Sequence, residues 1–433
     1  MNTGVPSHTD IELPDSASWT PLSISVVSLC FLLNMLDGAD MLIISFIAPV
    51  LADQWSISPE SLGMIFSASL AGMATGCLII APQGDRIGRK PLIIGALLVL
   101  AVAMIGSGFC SSVTQLVIAR FLVGCAVGTV GVTMTTMASE FAPPSHSSFA
   151  AGVVQAGWPV GAIITAFVAA SLIESLGWDT LLISLGWVSI GLAVMMLFWL
   201  PESMQFLLRS GKNNSLERAN ALRVRLGLTV LDALPASAGE KHASVPELFQ
   251  DGRKSVSILL WTAVSLGYFV LYFAISWIPK LAVDAGLALD QAIYAGATYN
   301  LGAAIGTALV AWLSIRLHLP RVVATFFLLA AVALLVYGNL RFPVVVTLAM
   351  AGCVGLFVQG AFNGFWPMAA SLYPSRIRST GVGWALGVGR IGAVLGPIVG
   401  GVLIGAGVST EMIFSFYALP AVLAALTVIS IRR

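Results

Sequence analysis

The chain has 433 residues, 58% of them hydrophobic and 9% charged, with a mean hydropathy of +0.95 and a formal net charge of +1. That balance excludes an ordinary soluble domain, and the near-zero net charge excludes nucleic acid as a partner. Five cysteines (Cys30, Cys77, Cys110, Cys125, Cys353) fall in apolar stretches without metal-ligand spacing, and four histidines (His8, His146, His242, His318) fall in polar ones, so neither a disulfide framework nor a metal centre is implied.

Residues 1–20 are polar and acidic and lack the basic-then-apolar pattern of a cleaved leader, so the first apolar segment is its own insertion signal. Twelve apolar segments follow, centred near residues 36, 70, 101, 126, 161, 189, 269, 302, 330, 356, 392 and 421. The predicted organisation is a tail (1–20), a six-helix unit (21–200), a hydrophilic central loop (201–254), a second six-helix unit (255–431) and a short terminus (432–433). With the N-terminus inside, seventeen of the 21 Lys and Arg residues fall on that side, which puts both termini in the cytoplasm by the positive-inside rule. An offset of 230 residues superimposes Pro49 on Pro279, Gly72 on Gly302, Gly76 on Gly306 and Arg86 on Arg316. A duplicated six-helix unit of this kind is the architecture of alternating-access carriers, with the site at the midplane. In the central loop, Ser215 to Leu226 reads as an amphipathic helix with Leu216, Ala219, Leu222 and Leu226 on its apolar side, most simply a solvated linker on the membrane surface.

The first apolar segment contains Asn34-Met35-Leu36-Asp37-Gly38-Ala39-Asp40. An ionised aspartate at the bilayer centre costs about 2.5 to 3.5 kcal/mol on insertion scales, so two of them require a partner, a proton or a water-filled cavity. Spacing of i, i+3 sets Asp37 and Asp40 on one helix face, with Asn34 a turn earlier. The 230-residue offset maps them onto Gly267 and Val270, so the acids are not part of the repeated scaffold. The fourth segment carries Arg120, which needs a counter-ion. Asp40, nearer the outer side, is the expected partner, and Asp37 is left without an arginine. In the eleventh segment Arg390 is a permanent cation with no acid in its own helix, suited to binding a carboxylate bidentately. The glycines at 392, 396 and 400 read as helix-packing positions.

Three motifs resemble the major facilitator superfamily. Gly84-Asp85-Arg86-Ile87-Gly88-Arg89-Lys90 is similar to its signature loop, with Ala81 where Gly is usual and with Pro82-Gln83 beside it, so a different bend is expected there. Arg120-Phe121-Leu122-Val123-Gly124-Cys125-Ala126-Val127-Gly128 is similar to a second, an arginine followed by close-packing glycines. The run from Tyr373-Pro374-Ser375-Arg376-Ile377-Arg378 through Arg390 to Pro397, together with Asp37-Gly38-Ala39-Asp40, resembles the aromatic acid:proton symporters of that superfamily. Pro201-Glu202-Ser203 is also common there, but reads equally well as a helix stop.

The resemblance implies an all-α membrane protein with twelve transmembrane helices in two pseudo-symmetric six-helix bundles. It further implies proton-coupled import of small aromatic carboxylates, benzoate- or hydroxybenzoate-like, by alternating access. The proton is then the coupling ion, no other cofactor is expected, and the carrier works as a monomer in the plasma (bacterial inner) membrane. Its proton-coupling set is Asp37, Asp40, Arg120 and Glu140, with Asp37 favoured as the carrier. The substrate-binding set is Arg390 with Asn34, Gln155, Trp158, Tyr268, Tyr272, Tyr299, Asn300, Gln359, Asn363, Trp366 and Trp384, a collection of ring faces and amides that suits a flat aromatic anion. Conformational switching falls to Gly84, Asp85, Arg86, Gly88, Arg89, Arg376 and Arg378, with Asp85 expected at the positive end of the eleventh helix. Transport of another organic acid, drug/proton antiport and a sensory role beside transport stay open on sequence alone. An enzyme does not, because there is no nucleophile elbow, metal-binding helix motif or cofactor fingerprint.

Overall fold

A computed structural model describes residues 18–210, 214–234, 245–250, 253–339, 343–374 and 377–431. The regular structure among the described residues is all helical. Helix α1 (Pro21–Trp55) starts where Thr20 accepts from the Ser23 N–H at 3.1 Å, with Pro21 in the first turn, and stops where Ser56 turns left-handed at φ 50°. Helix α2 (Pro59–Thr75) starts in the same way from Ser58 and Pro59, and α4 (Val113–Phe141) from Ser112. Between them lies α3 (Arg89–Gly108).

The next 53 residues, Ser147 to Trp199, are helical on either side of a kink. A single straight helix of that length would be about 80 Å long, more than twice the hydrocarbon thickness. The run is broken at Gly177, where φ is 81° and ψ is 159°, a conformation closed to residues with a Cβ. The two arms, α5 (147–176) and α6 (178–199), are the fifth and sixth crossings, so the eleven long apolar helical stretches among the described residues make twelve passes.

Two short helices, α7 (Met204–Ser210) and α8 (Ser215–Arg225), bridge to the second unit. That unit is built from α9 (Lys254–Asp284), α10 (Leu289–Arg316), α11 (Leu319–Asn339), α12 (Val344–Asn363) with its continuation α13 (Phe365–Leu372), α14 (Arg378–Gly405) and α15 (Thr410–Ser430). The expected apolar side of α8 is turned onto the protein, with Ala219, Leu222 and Leu226 buried, so it is not presented to lipid.

Glycine positions show how the duplication is realised. A Cβ on Gly72 of α2 would lie 2.0 Å from Phe121 O of α4, and one on Gly302 of α10 would lie 1.9 Å from Gly352 O of α12. The pair Gly76 and Gly306 behaves alike, meeting Cys125 O at 2.2 Å and Leu356 O at 2.0 Å. Each glycine lets two backbones touch where burial in lipid gives helices little other reason to associate. The pairing α2–α4 thus repeats as α10–α12. Gly157 and Gly161 join α5 to α1 as Gly392 and Gly396 join α14 to α9, and Gly186 joins α6 to α3 as Gly338 joins α11 to α15. The three glycines of the eleventh crossing are packing positions, as expected: Gly392 and Gly396 meet Ser265 O and Phe269 O, and Gly400 lies against Trp277.

The two units meet along α2–α14 and α5–α10. Ser67 Oγ donates to Val394 O at 2.7 Å, a Cβ on Gly63 would lie 2.7 Å from Pro397 O, and Phe66 meets Trp277 edge-on at 5.3 Å. Phe46 of α1 packs on Gly296 of α10, and Phe167 of α5 on Tyr294 of α10 at 5.6 Å. These contacts lie toward the end of the bundles where α1 stops and α2 starts. The other end, carrying Gly84–Lys90 and Pro201–Ser203, is termed the basic face below.

Candidate functional site

Helix α1 carries its three polar residues into the first bundle. Asn34, Asp37 and Asp40 are 1%, 7% and 0% exposed. Asn34 Nδ2 donates to Val154 O at 2.6 Å and to Gln155 Oε1 at 3.2 Å, so it ties α1 to α5 together with one of its predicted companions. Gly38 allows the same approach, since a Cβ there would lie 2.1 Å from Trp158 O; Trp158 therefore enters this site through its backbone, with its ring half-buried. Asp37 faces Gly131 of α4, whose Cβ position is 3.7 Å from Asp37 Oδ2. Asp37 Oδ1 and both carboxylate oxygens of Asp40 are buried without a hydrogen-bond partner among the described residues.

Asp40 and Arg120 are within electrostatic reach of each other, but the hydrogen bonds of Arg120 go elsewhere. Arg120, fully buried, donates from Nη2 to the backbone carbonyl of Asp40 at 2.8 Å, from Nε to Ser69 Oγ at 3.0 Å and from Nη1 to Met104 Sδ at 3.3 Å. The cause is side-chain direction. Side chains tilt toward the N-terminus of their own helix, and α1 and α4 are antiparallel. Asp40 therefore leans toward the basic face while Arg120 leans away from it, and the guanidinium donates to the main-chain carbonyl of Asp40. Arg120 clamps α1, α2 and α3 together.

Arg390 of α14 lies 5.9 Å from the Tyr268 ring centroid, and its Nη2 donates at 3.5 Å to Sγ of Cys77, two residues past the end of α2. Its Nη1 is buried without a partner among the described residues. Arg390 and Asp37 are within electrostatic reach of each other across the two units, an approach that primary structure offers no means of assigning. Tyr268 stacks on Tyr272 at 5.7 Å and packs on Phe362 at 4.3 Å, and the Tyr272 hydroxyl reaches Met73 Sδ of α2 at 4.0 Å. Beside them runs an amide chain in which Gln359 Nε2 donates to Asn363 Oδ1 at 3.4 Å and Asn363 Nδ2 donates to Thr307 Oγ1 at 2.7 Å. Tyr299 Oη, Asn300 Oδ1 and Gln359 Oε1 are buried and have no partner among the described residues. Asn300 Nδ2 is committed to Gly296 O at 2.8 Å.

Two predicted site residues lie elsewhere. Trp366 and Trp384 are 46% and 43% exposed, and Trp384 stacks on Trp261 at 6.1 Å. Six residues separate Trp384 from Arg390, which on a 3.6-residue turn leaves them on different faces of α14. Glu140 also departs from its expected company. It is ion-paired with Arg89 and accepts from Ser203 Oγ at 2.7 Å, which puts it at the basic-face end of α4 rather than beside the aspartates.

That end is a second polar cluster. Glu202 Oε1 accepts from the backbone N–H groups of Arg89 at 2.9 Å, Lys90 at 3.1 Å and Ser203 at 2.9 Å, capping the start of α3 from the end of α6. Gly88, at φ 107°, leaves room for that carboxylate, since a Cβ there would lie 2.5 Å from Glu202 Oε2. Gly84 is buried, and Arg86 and Arg378 are exposed. Asp85, also exposed, meets Arg89, its own i+4 neighbour, at 3.5 Å. Arg376 lies outside the described residues. Sequence reasoning missed Cys77, Ser69, Met104 and Gly131, which carry no charge or motif to mark them. It passed over Glu202 as part of a helix stop, although a buried acid beside a basic loop was a usable signal.

Twelve membrane crossings in two internally repeated bundles, with unpartnered charge facing across them, define a carrier of the major facilitator type. The sequence profile of the Major Facilitator Superfamily matches residues 30–367 and again 260–433. The chain is 34% identical over 417 residues to a 4-hydroxybenzoate transporter, PcaK, of Pseudomonas putida, covering 93% of this chain and 91% of that one. It is 30% identical to a gallate transporter of the same species, with 94% and 91% covered. Its fold is similar to the inward-facing, unoccupied structure of a bacterial homologue of the human lysosomal transporter Spinster, with a TM-score of 0.73, 18% identity and 96% and 95% of the two chains covered. The chain belongs to the major facilitator superfamily, and within it to the aromatic acid:H+ symporter family.

Proposed function

We propose that this protein is a proton-coupled symporter that imports small aromatic carboxylates, benzoate- or hydroxybenzoate-like, across a bacterial inner membrane with both chain ends in the cytoplasm. The observation that carries the reading is Arg390 and Asp37, one from each unit and within electrostatic reach of each other, each with a buried polar atom lacking a partner among the described residues. A guanidinium with a free Nη1 beside the Tyr268 ring offers a carboxylate its charge and an aromatic ring its face. The names of the relatives, transporters of 4-hydroxybenzoate and gallate, support that substrate class.

In the cycle we infer, the substrate carboxylate binds Arg390 and withdraws its field from Asp37, and Asp37 then takes a proton. The loaded site carries the same net charge as the empty one with a deprotonated Asp37, whereas the anion without the proton would add one unbalanced negative charge, so units 21–200 and 255–431 rock about it at low electrostatic cost only when both are bound. Asp40 contributes to the proton path, and a single chain suffices. One proton per monoanion makes transport electroneutral. Two would add about 2.3 kcal/mol of driving force per 100 mV.

Uptake of radiolabelled hydroxybenzoates into proteoliposomes, with and without a protonophore, tests the reading. Accumulation abolished by the protonophore is expected, and accumulation insensitive to it refutes proton coupling. Arg390→Ala is expected to weaken 4-hydroxybenzoate binding about 100-fold or more, the effect of truncating one partner of a buried charge pair. Asp37→Asn is expected to keep exchange of labelled for unlabelled substrate while losing uphill uptake.

A further inference from the structure

Helix α2 changes character where it faces Arg390. It is α-helical to Thr75, turns π over Gly76–Ile80 with the Ala81 N–H reaching back five residues to Gly76 O, and tightens to a 3-10 turn over Ala81–Gln83. Pro82 is the cause. It has no N–H to give Leu78 O, and its ring collides with that carbonyl in a regular helix, so the turn before it widens. The equivalent stretch of the second unit has no proline, and α10 stays α-helical through Thr307, the counterpart of Cys77 by the 230-residue offset. The π-turn is therefore an addition to the duplicated scaffold, as the aspartates of α1 are.

The widened turn sets the Cys77 thiol between the units. Its S–H donates to Gly128 O of α4 at 3.2 Å, and its sulfur accepts from Arg390 Nη2 at 3.5 Å. Cys77 is half-buried and within electrostatic reach of Asp37, which is 7% exposed and has Oδ1 unpartnered among the described residues. A thiol is a weak acceptor. It orients a guanidinium without neutralising it and yields readily to a carboxylate, whereas a hydroxyl at the same place competes harder.

We propose that Cys77 is a positioning residue for Arg390: its sulfur seats the guanidinium in the empty carrier, and the substrate carboxylate takes the seat. This rests on Arg390 being the carboxylate receptor. The test uses the full-length carrier in nanodiscs, with N-ethylmaleimide as probe and mass spectrometry reading modification of each cysteine. Saturating 4-hydroxybenzoate is expected to slow modification of Cys77 about fivefold, and 4-hydroxybenzamide, which lacks the charge, is expected to leave it unchanged. A rate within twofold with and without 4-hydroxybenzoate overturns the inference. No modification in either condition overturns it equally, because a seat the substrate takes must admit a small reagent. Equilibrium binding separates the two readings: if 4-hydroxybenzoate binds the wild-type protein and Cys77 is not protected, the seat is wrong, and if it does not bind at all, the substrate reading fails and takes the seat with it. Cys77→Ser is expected to raise the Kd about threefold and Cys77→Ala to lower it about twofold. A purely structural role ranks the variants the other way, since serine keeps the bond to Gly128.

Discussion

Replacing Glu202 tests how the basic-face cluster holds the third crossing. The four backbone donors at the start of α3 are all accounted for: Gly88 N–H donates to Gly84 O at 3.0 Å, those of Arg89 and Lys90 donate to Glu202 Oε1 at 2.9 and 3.1 Å, and Pro91 has none. Glu202 is only 8% exposed, so its removal leaves two donors in a place that water reaches poorly. Losing a side-chain cap costs about 0.5–2 kcal/mol, and losing a negative charge at a helix N-terminus about 0.3–1 kcal/mol more. Glu202→Ala is therefore expected to weaken local closure by about 2 kcal/mol, and Glu202→Gln, which keeps an acceptor but not the charge, by about 1 kcal/mol. Since 1.4 kcal/mol is tenfold, amide exchange at Arg89 and Lys90 should rise about 30-fold and 5-fold respectively. Hydrogen-exchange mass spectrometry on peptides covering residues 84–95, with a peptide from the middle of α4 as control, measures this directly. Exchange in Glu202→Ala within twofold of wild type refutes the trans-cap. A rise that extends equally into the α4 peptide refutes its locality.

Other consequences follow from packing. Gly72→Ala and Gly302→Ala place a Cβ about where a neighbouring carbonyl already lies, and each is expected to lower the melting temperature in detergent. Gly95→Ala, with nothing within 4 Å, is expected to be neutral or to stabilise by about 0.5–1 kcal/mol through helix propensity. Arg120→Ala removes a donor to three helices and is expected to cost about 3 kcal/mol or more. Arg120→Lys should not rescue it, because an ammonium lacks the fork that reaches Asp40 O, Ser69 Oγ and Met104 Sδ together. Both are read as thermal stability, and a melting temperature for Arg120→Lys equal to wild type contradicts the clamp.

Much of the scaffold was legible before any coordinate. The apolar spans, the division six from six and the repeat at 230 residues are local or periodic signals, and Gly72 and Gly302 prove to make the same contact in the two units. The amphipathic stretch at 215 ended within a residue of where it was read. The oddity of Ala81-Pro82-Gln83 was visible too, and it became a π-turn followed by a 3-10 turn. Less legible was which polar residues share a site. Trp384 and Arg390 are near in sequence and turn to different faces, while Cys77 and Arg390 are 313 residues apart and touch.

What the chain determined by itself is therefore what a bilayer enforces segment by segment: which stretches cross, where they cap, where glycine must lie for backbones to meet. Exclusion of water makes each of those a local requirement, readable from composition and spacing. Only the tertiary structure decided the partnering of charge. Arg120 reaches the carbonyl of Asp40 because side chains lean toward the start of their own helix and α1 and α4 run antiparallel, and Asp37 comes within electrostatic reach of Arg390 because the two units are packed together. Both relations belong to pairs of helices, and no single helix carries them.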